Sequence, residues 1–205
     1  MKKNVGFLLA VLPFLAPAFS QDDHIQRPTL GIYFFFNDFK TAANIRATSL
    51  QEVLRTSQFG KLKEMSPGLA LNYMNGLSRH FDFTSTLTGS FLDYIDQDGE
   101  FLGQDNLLLE GDVSLKGKLF SNRYWVSPFF QIGTGISKFR QYWGAFIPAG
   151  TGFQVNLFNE AFFIFNAQYR IAVTSTVSNH FLYSIGIAGN IGRKKESNRS
   201  VLPQE

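Results

Sequence analysis

Residues 124–171 read YWVSPFFQIGTGISKFRQYWGAFIPAGTGFQVNLFNEAFFIFNAQYRI, and taken in twos the stretch separates into two faces. Val126, Pro128, Phe130, Ile132, Thr134 and Ile136 fall on one side, and Ser127, Phe129, Gln131, Gly133, Gly135 and Ser137 on the other. After an aromatic interruption at Tyr142-Trp143 the alternation resumes, with Ala149, Thr151, Phe153, Val155 and Leu157 against Gly150, Gly152, Gln154 and Asn156. A short turn at 158–161 follows, and then Phe163, Phe165, Ala167, Tyr169 and Ile171 oppose Asn166, Gln168 and Arg170. Period-two alternation marks strands with one apolar and one polar face. A tilted strand crossing a bilayer needs about 9–11 residues, which these runs supply, whereas strands of soluble sheets average about five or six. The stretch reads as the wall of a membrane β-barrel.

The composition agrees. The chain has 205 residues, 23 Phe and 18 Gly, with a formal charge of +3. That length suits one domain. No apolar run approaches the roughly 20 residues of a transmembrane helix. The positive charges form no stripe fit for phosphate backbones, so nucleic acid is not an expected partner. There is no cysteine, which excludes disulfides, Cys-ligated zinc and thiol catalysis.

Working outward to the start, Lys2-Lys3, the apolar run 5–16 and the small residues before Gln21 have the three parts of a secretory signal. Residues 1–20 are therefore expected to be a signal peptide and 21–28 a polar lead-in. The barrel is expected over 29–192 and a charged, disordered tail over 193–205. Strands are expected at 29–37, 67–75, 81–91, 107–119 and 180–192 besides those of the central stretch. The split is sharpest in 107–119. Leu107, Leu109, Gly111, Val113, Leu115 and Leu119 oppose Leu108, Glu110, Asp112, Ser114, Lys116 and Lys118. Lys or Arg facing lipid at the midplane costs about 2–4 kcal/mol, so this charged face must point into a hydrated or paired interior.

The count is eight strands, joined by long connections (38–66, 93–106, 138–147, 173–179) that alternate with short ones (76–80, 121–124, 158–161). Outer-membrane barrels carry short periplasmic turns and longer outside loops. The expected fold is an all-β, eight-stranded, antiparallel up-and-down transmembrane barrel in the outer membrane. Within 38–66, Ser49-Leu50-Gln51-Glu52 fits a capping box, so a short helix is expected there, forming a plug or lid. Tyr124, Trp125, Phe158 and Phe162 near the short turns, and Tyr94, Tyr142, Trp143 and Tyr169 near the long loops, are the expected aromatic girdles. The run Asp96-Gln-Asp-Gly-Glu100 lacks the rest of a calcium loop and reads as an acidic turn.

NDFKTA after the first strand, FLDY before the second long loop, YWVSPFFQIGTGISKFRQYWGAFIP, NEAFFIFNAQYR and HFLYSIGIAG together resemble the N-terminal barrel of OmpA-like outer-membrane proteins, over roughly residues 29–192. The resemblance implies a monomeric barrel surrounded by outer-membrane lipid. The peptidoglycan-binding domain that follows the barrel in many such proteins is not matched here, and its binding activity is not carried over.

An eight-stranded barrel has an interior just wide enough for side chains to fill. Glu110, Asp112, Lys116, Lys118, Gln131, Asn156, Gln168, Arg170 and Asn190 are expected to form a polar lumen, and by strand direction Glu110 and Arg170 lie close enough to pair. No cofactor, metal or catalytic residue is expected, and a structural or surface-interaction role is. Loops 38–66 and 93–106 are the expected surfaces for an extracellular partner. Two other readings remain. A lipid-modifying enzyme would use Ser178 and His180, with a third member such as Glu110 that the sequence does not place. A soluble lipocalin-like carrier of an apolar ligand would invert the two faces.

Overall fold

A computed structural model describes residues 25–91, 107–158 and 160–191. The expected signal peptide, the loop 93–106 with its acidic run and Tyr94, and the charged tail lie outside the described residues. Eight strands form one closed antiparallel barrel in the order of the chain. They are β1 (Thr29–Asp38), β2 (Ser66–Gly76), β3 (Phe81–Phe91), β4 (Leu107–Lys118), β5 (Val126–Phe139), β6 (Tyr142–Leu157), β7 (Ala161–Ala172) and β8 (His180–Asn190). Closure pairs the first strand with the last, from Thr29 opposite Asn190 to Asp38 opposite Phe181. A closed sheet leaves no row of unpaired backbone groups, the condition for strands to sit in hydrocarbon.

The alternation sets what points where. In β4, Leu108, Glu110, Asp112, Ser114, Lys116 and Lys118 are buried in the barrel, and Leu107, Leu109, Val113 and Leu115 are exposed outside. The same parity holds along β5, where Val126, Phe130, Ile132 and Ile136 face out and Ser127, Phe129, Gln131 and Ser137 face in. Leu69 and Leu71 of β2, Phe153 of β6, Phe165 of β7 and Ile185 and Ile187 of β8 extend the outer apolar belt around the wall.

Two connections differ from expectation. The third outer connection is not a loop over 138–147 but a tight hairpin at Arg140-Gln141, because the ladder runs on to Lys138 opposite Trp143 and Phe139 opposite Tyr142. Tyr142 and Trp143 thus belong to β6 rather than interrupting it. Arg140 takes the left-handed conformation, φ 55°, in place of the Gly or Asn that usually announces such a turn. The first outer connection carries two α-helices and a short 3-10 turn (Leu62–Glu64) instead of one helix. Ser49 caps α2 (Leu50–Thr56) by accepting from the Glu52 N–H, and Asp38 caps α1 (Phe39–Ala47) by accepting from the Thr41 N–H.

Candidate functional site: a filled lumen beneath a helical lid

The interior holds two polar networks, with apolar side chains packed among them. The upper network centres on Arg170, whose side chain is fully buried. Its Nη1 pairs with Glu110 Oε2, and its Nη2 lies 3.2 Å from Asp112 Oδ2. β7 carries Arg170 upward while β4 carries Glu110 and Asp112 downward, so the antiparallel wall brings both carboxylates to one guanidinium. The Arg170 guanidinium also rests on the Phe146 ring, 4.9 Å from its centroid. His180 closes the network from β8, with Nε2 3.3 Å from Glu110 Oε2 and Nδ1 3.0 Å from the Ser178 carbonyl oxygen.

The lid sits on this network. Phe39, the first residue of α1, packs its ring over His180 at 4.6 Å between centroids. Behind it, Thr41 Oγ1 donates to Asp38 Oδ2 and accepts from the Gly60 N–H at 2.7 Å. An added Cβ at Gly60 would sit 2.5 Å from Asp38 Oδ1, so the chain's return depends on a residue without a side chain. Outside, Lys40 and Glu64 pair at 2.5 Å, and Glu64 also accepts from the Lys61 N–H at 2.9 Å. These bonds hold Glu64 below the ordinary carboxylate range, the Lys40 hydrogen bond contributing most.

The lower network fills the other end. Lys118 pairs with Asp82 at 2.9 Å and donates to Asn122 Oδ1 at 3.0 Å. Lys116 donates to Gln154 Oε1 at 2.6 Å and lies over the Phe129 ring at 4.4 Å. Gln26, from the segment before β1, accepts from Asn122 Nδ2 at 2.8 Å and donates to Thr29 Oγ1 at 2.6 Å. Gln26 thereby ties the segment before β1 to the inner end of the barrel. Asn190 accepts from Thr29 at 2.9 Å, and Asn156 donates to the Asn122 carbonyl at 2.7 Å. Among the described residues, Asp82, Glu110 and Asp112 stand in the lumen with Lys116, Lys118 and Arg170, and Asp38 is buried under the lid.

Between the networks, Asn72, Gln131, Lys116 and Arg170 help to line a cavity of about 30 Å³. That is room for a water or two, not for a substrate. Gln168 is buried beside it, and its Oε1 and the Arg170 Nε have no partner among the described residues. Ordered water is the ordinary way to satisfy such atoms.

The lumen is less polar than expected. Tyr33, Phe35, Met74, Phe129, Phe162, Ile164 and Leu182 form an apolar cluster inside the barrel. Phe162, expected in a girdle, points inward and is only 2% exposed, because its parity in β7 matches that of Ile164 and Gln168. Sequence reading placed Phe129 on the inner row but missed Tyr33 and Phe35 there, since the aromatic run of β1 hides its alternation. The signal that could have found them is the inward glycines. Gly68 faces Phe35, Gly152 faces Phe129 and Gly186 faces Tyr33, each ring occupying the space a Cβ would need. A ring covering a strand glycine on a neighbouring strand is a known device of barrels.

Of the other girdle candidates, Tyr124, Trp125 and Phe158 are exposed at the inner end, and Tyr142 and Trp143 at the outer end. Tyr169 is half-buried and packs against Phe181 at 4.7 Å. Ser178 and His180 are adjacent, but the contact is through the Ser178 carbonyl. The other ring nitrogen, Nε2, faces Glu110 Oε2.

An apolar outer wall around a filled, charged interior is the architecture of small outer-membrane β-barrels. Among solved structures, the fold is similar to Neisserial surface protein A, with a TM-score of 0.53 at 9% identity over 80% of this chain and 96% of that one. It is also similar to the outer membrane protein OprG from Pseudomonas aeruginosa, with a TM-score of 0.51 at 10% identity over 81% and 96%. No protein-family model and no curated protein matches the sequence. The eight-stranded barrel fold implied by the OmpA-like resemblance is thus the fold of the chain.

Proposed function

We propose that the chain is an outer-membrane barrel with a structural or surface-interaction role, non-catalytic and closed to solutes. One observation carries this reading. The wall turns Leu, Ile, Val and Phe outward on every side while the charged residues are buried within, Lys118 against Asp82 and Arg170 against Glu110 and Asp112. A soluble carrier requires the reverse, with its apolar face around a ligand cavity. The filled lumen favours a scaffold over a channel, and the contact of His180 with the Ser178 carbonyl rather than with its hydroxyl favours it over a hydrolase.

The outward role falls to the lid and the outer connections. Leu50, Leu54, Phe59 and Leu62 are exposed on the lid's surface, a density of apolar side chains suited to a partner. The test is to express the whole chain, fractionate membranes and run the extract on SDS gels with and without boiling. An outer-membrane band whose mobility changes on boiling supports the reading. A soluble periplasmic protein without a shift sinks it.

A further inference from the structure

The outward row of β5 runs Val126, Pro128, Phe130, Ile132, Thr134, Ile136 and then changes abruptly to Lys138. From Val126 to Ile136 is about ten steps of about 3.4 Å, which at a 45° tilt gives a height of roughly 24 Å. That matches the apolar band of an outer-membrane barrel, about 25 Å. Lys138 therefore stands at the outer edge of the band, facing lipid rather than lumen. Its ladder neighbours are Leu109 on β4 and Trp143 on β6. Lys138 Nζ lies 5.2 Å from the Trp143 ring centroid, and the Arg140 guanidinium lies 5.6 Å from that of Phe139. Lys138, Arg140, Tyr142 and Trp143 are all exposed.

We propose that the β5–β6 hairpin is a binding site for the phosphate group of an anionic outer-leaflet lipid, held by Lys138 and Arg140 on an aromatic platform. The inference rests on the outer-membrane reading above. Two features favour lipid over other occupants. The hairpin continues the apolar wall without a break, so an acyl chain lying on Ile136 and Ile147 brings its headgroup to Lys138. The two cations are also fixed at that level. The tight ladder ends at Phe139 and Tyr142, and the left-handed turn at Arg140 holds the second cation beyond the first. Lysine at a membrane edge extends its charge to the headgroups while its stem stays in the apolar layer, and a juxtamembrane cation adds measurably to anionic-lipid affinity.

The chain has only two tryptophans, so Trp125→Phe leaves Trp143 as the sole indole reporter. The full barrel in phosphatidylcholine nanodiscs would be titrated with bis-phosphorylated lipid A while Trp143 emission is followed. The expected result is a saturable change whose midpoint moves up roughly tenfold or more in Lys138→Gln/Arg140→Gln. An equal response to the dephosphorylated glycolipid, or one unchanged in the double variant, overturns the phosphate site. Saturation by inorganic phosphate alone would make the site one for the free anion and overturn its assignment to lipid. A boiling-dependent gel shift run on every sample separates the two readings. Loss of the shift in the double variant alone is a folding defect, and Lys138→Arg, which keeps the charge, must then retain the titration for the proposal to stand. Absence of the shift in the parent protein refutes the membrane barrel and this inference together.

Discussion

Arg170 is the residue on which the interior turns. It is fully buried and pairs with two carboxylates at once. Removing one partner of a buried ion pair leaves charge uncompensated and typically costs about 3–5 kcal/mol. Arg170→Met should therefore lower stability by about that amount in urea unfolding of the folded barrel, and Glu110→Gln/Asp112→Asn in the same chain should restore much of it. Gly152 tests the opposite fault. A methyl there would collide with the Phe165 carbonyl oxygen of the neighbouring strand and also meet Phe129 Cζ at 2.5 Å, and overpacking of this kind costs about 1–3 kcal/mol. Gly152→Ala should show that loss, and Phe129→Leu should relieve part of it.

At the scale of elements, the lid is held by few bonds and is correspondingly open to adjustment. Glu64 is stabilised as a carboxylate by Lys40 and by the Lys61 N–H. A depressed carboxylate contributes above its unfolded pKa and loses that contribution as pH falls through the folded value. The Glu64 carboxyl should titrate below 4.5 by NMR, and amide exchange in the lid should quicken below that midpoint. Glu64→Gln should remove the pH dependence. Elements also show what could be read in advance. The rows of β4 through β7 were legible because one bad residue on the lipid side is expensive, so their alternation is strict. The capping box of α2 was legible in Ser49 and Glu52. α1 was not, because its cap, Asp38, ends a strand and its helix has no clear apolar stripe. The Arg140 hairpin was hidden for a related reason, the residue at its left-handed position being one that turns seldom use. Phe162 was misread because an aromatic at a strand end suits a girdle and a lumen equally well until parity is known. The pairing of side chains across the interior depends on register between strands far apart in sequence, which no local pattern encodes.

At the scale of the molecule, the apolar belt and the charged interior are one design, since the period-two wall cannot have either without the other. Ile132 sits in mid-row on β5 and is 60% exposed. Ile132→Arg should cost about 2–4 kcal/mol in a bilayer, whereas the same change should matter far less in detergent that tolerates a charge at the wall. Equal losses in both would show that Ile132 does not face lipid. The seam between β1 and β8 has a consequence of another kind. Thr29 and Asn190, bonded to each other, are 161 residues apart, so the ring cannot shut until synthesis has reached the final strand. Until then both margins of the growing sheet expose unmet amides and carbonyls, and hydrocarbon is closed to them. Assembly must therefore be nearly all-or-none and late, with the nascent chain kept in water by some means. A version ending before His180 should fail by precipitating rather than by inserting as a smaller ring.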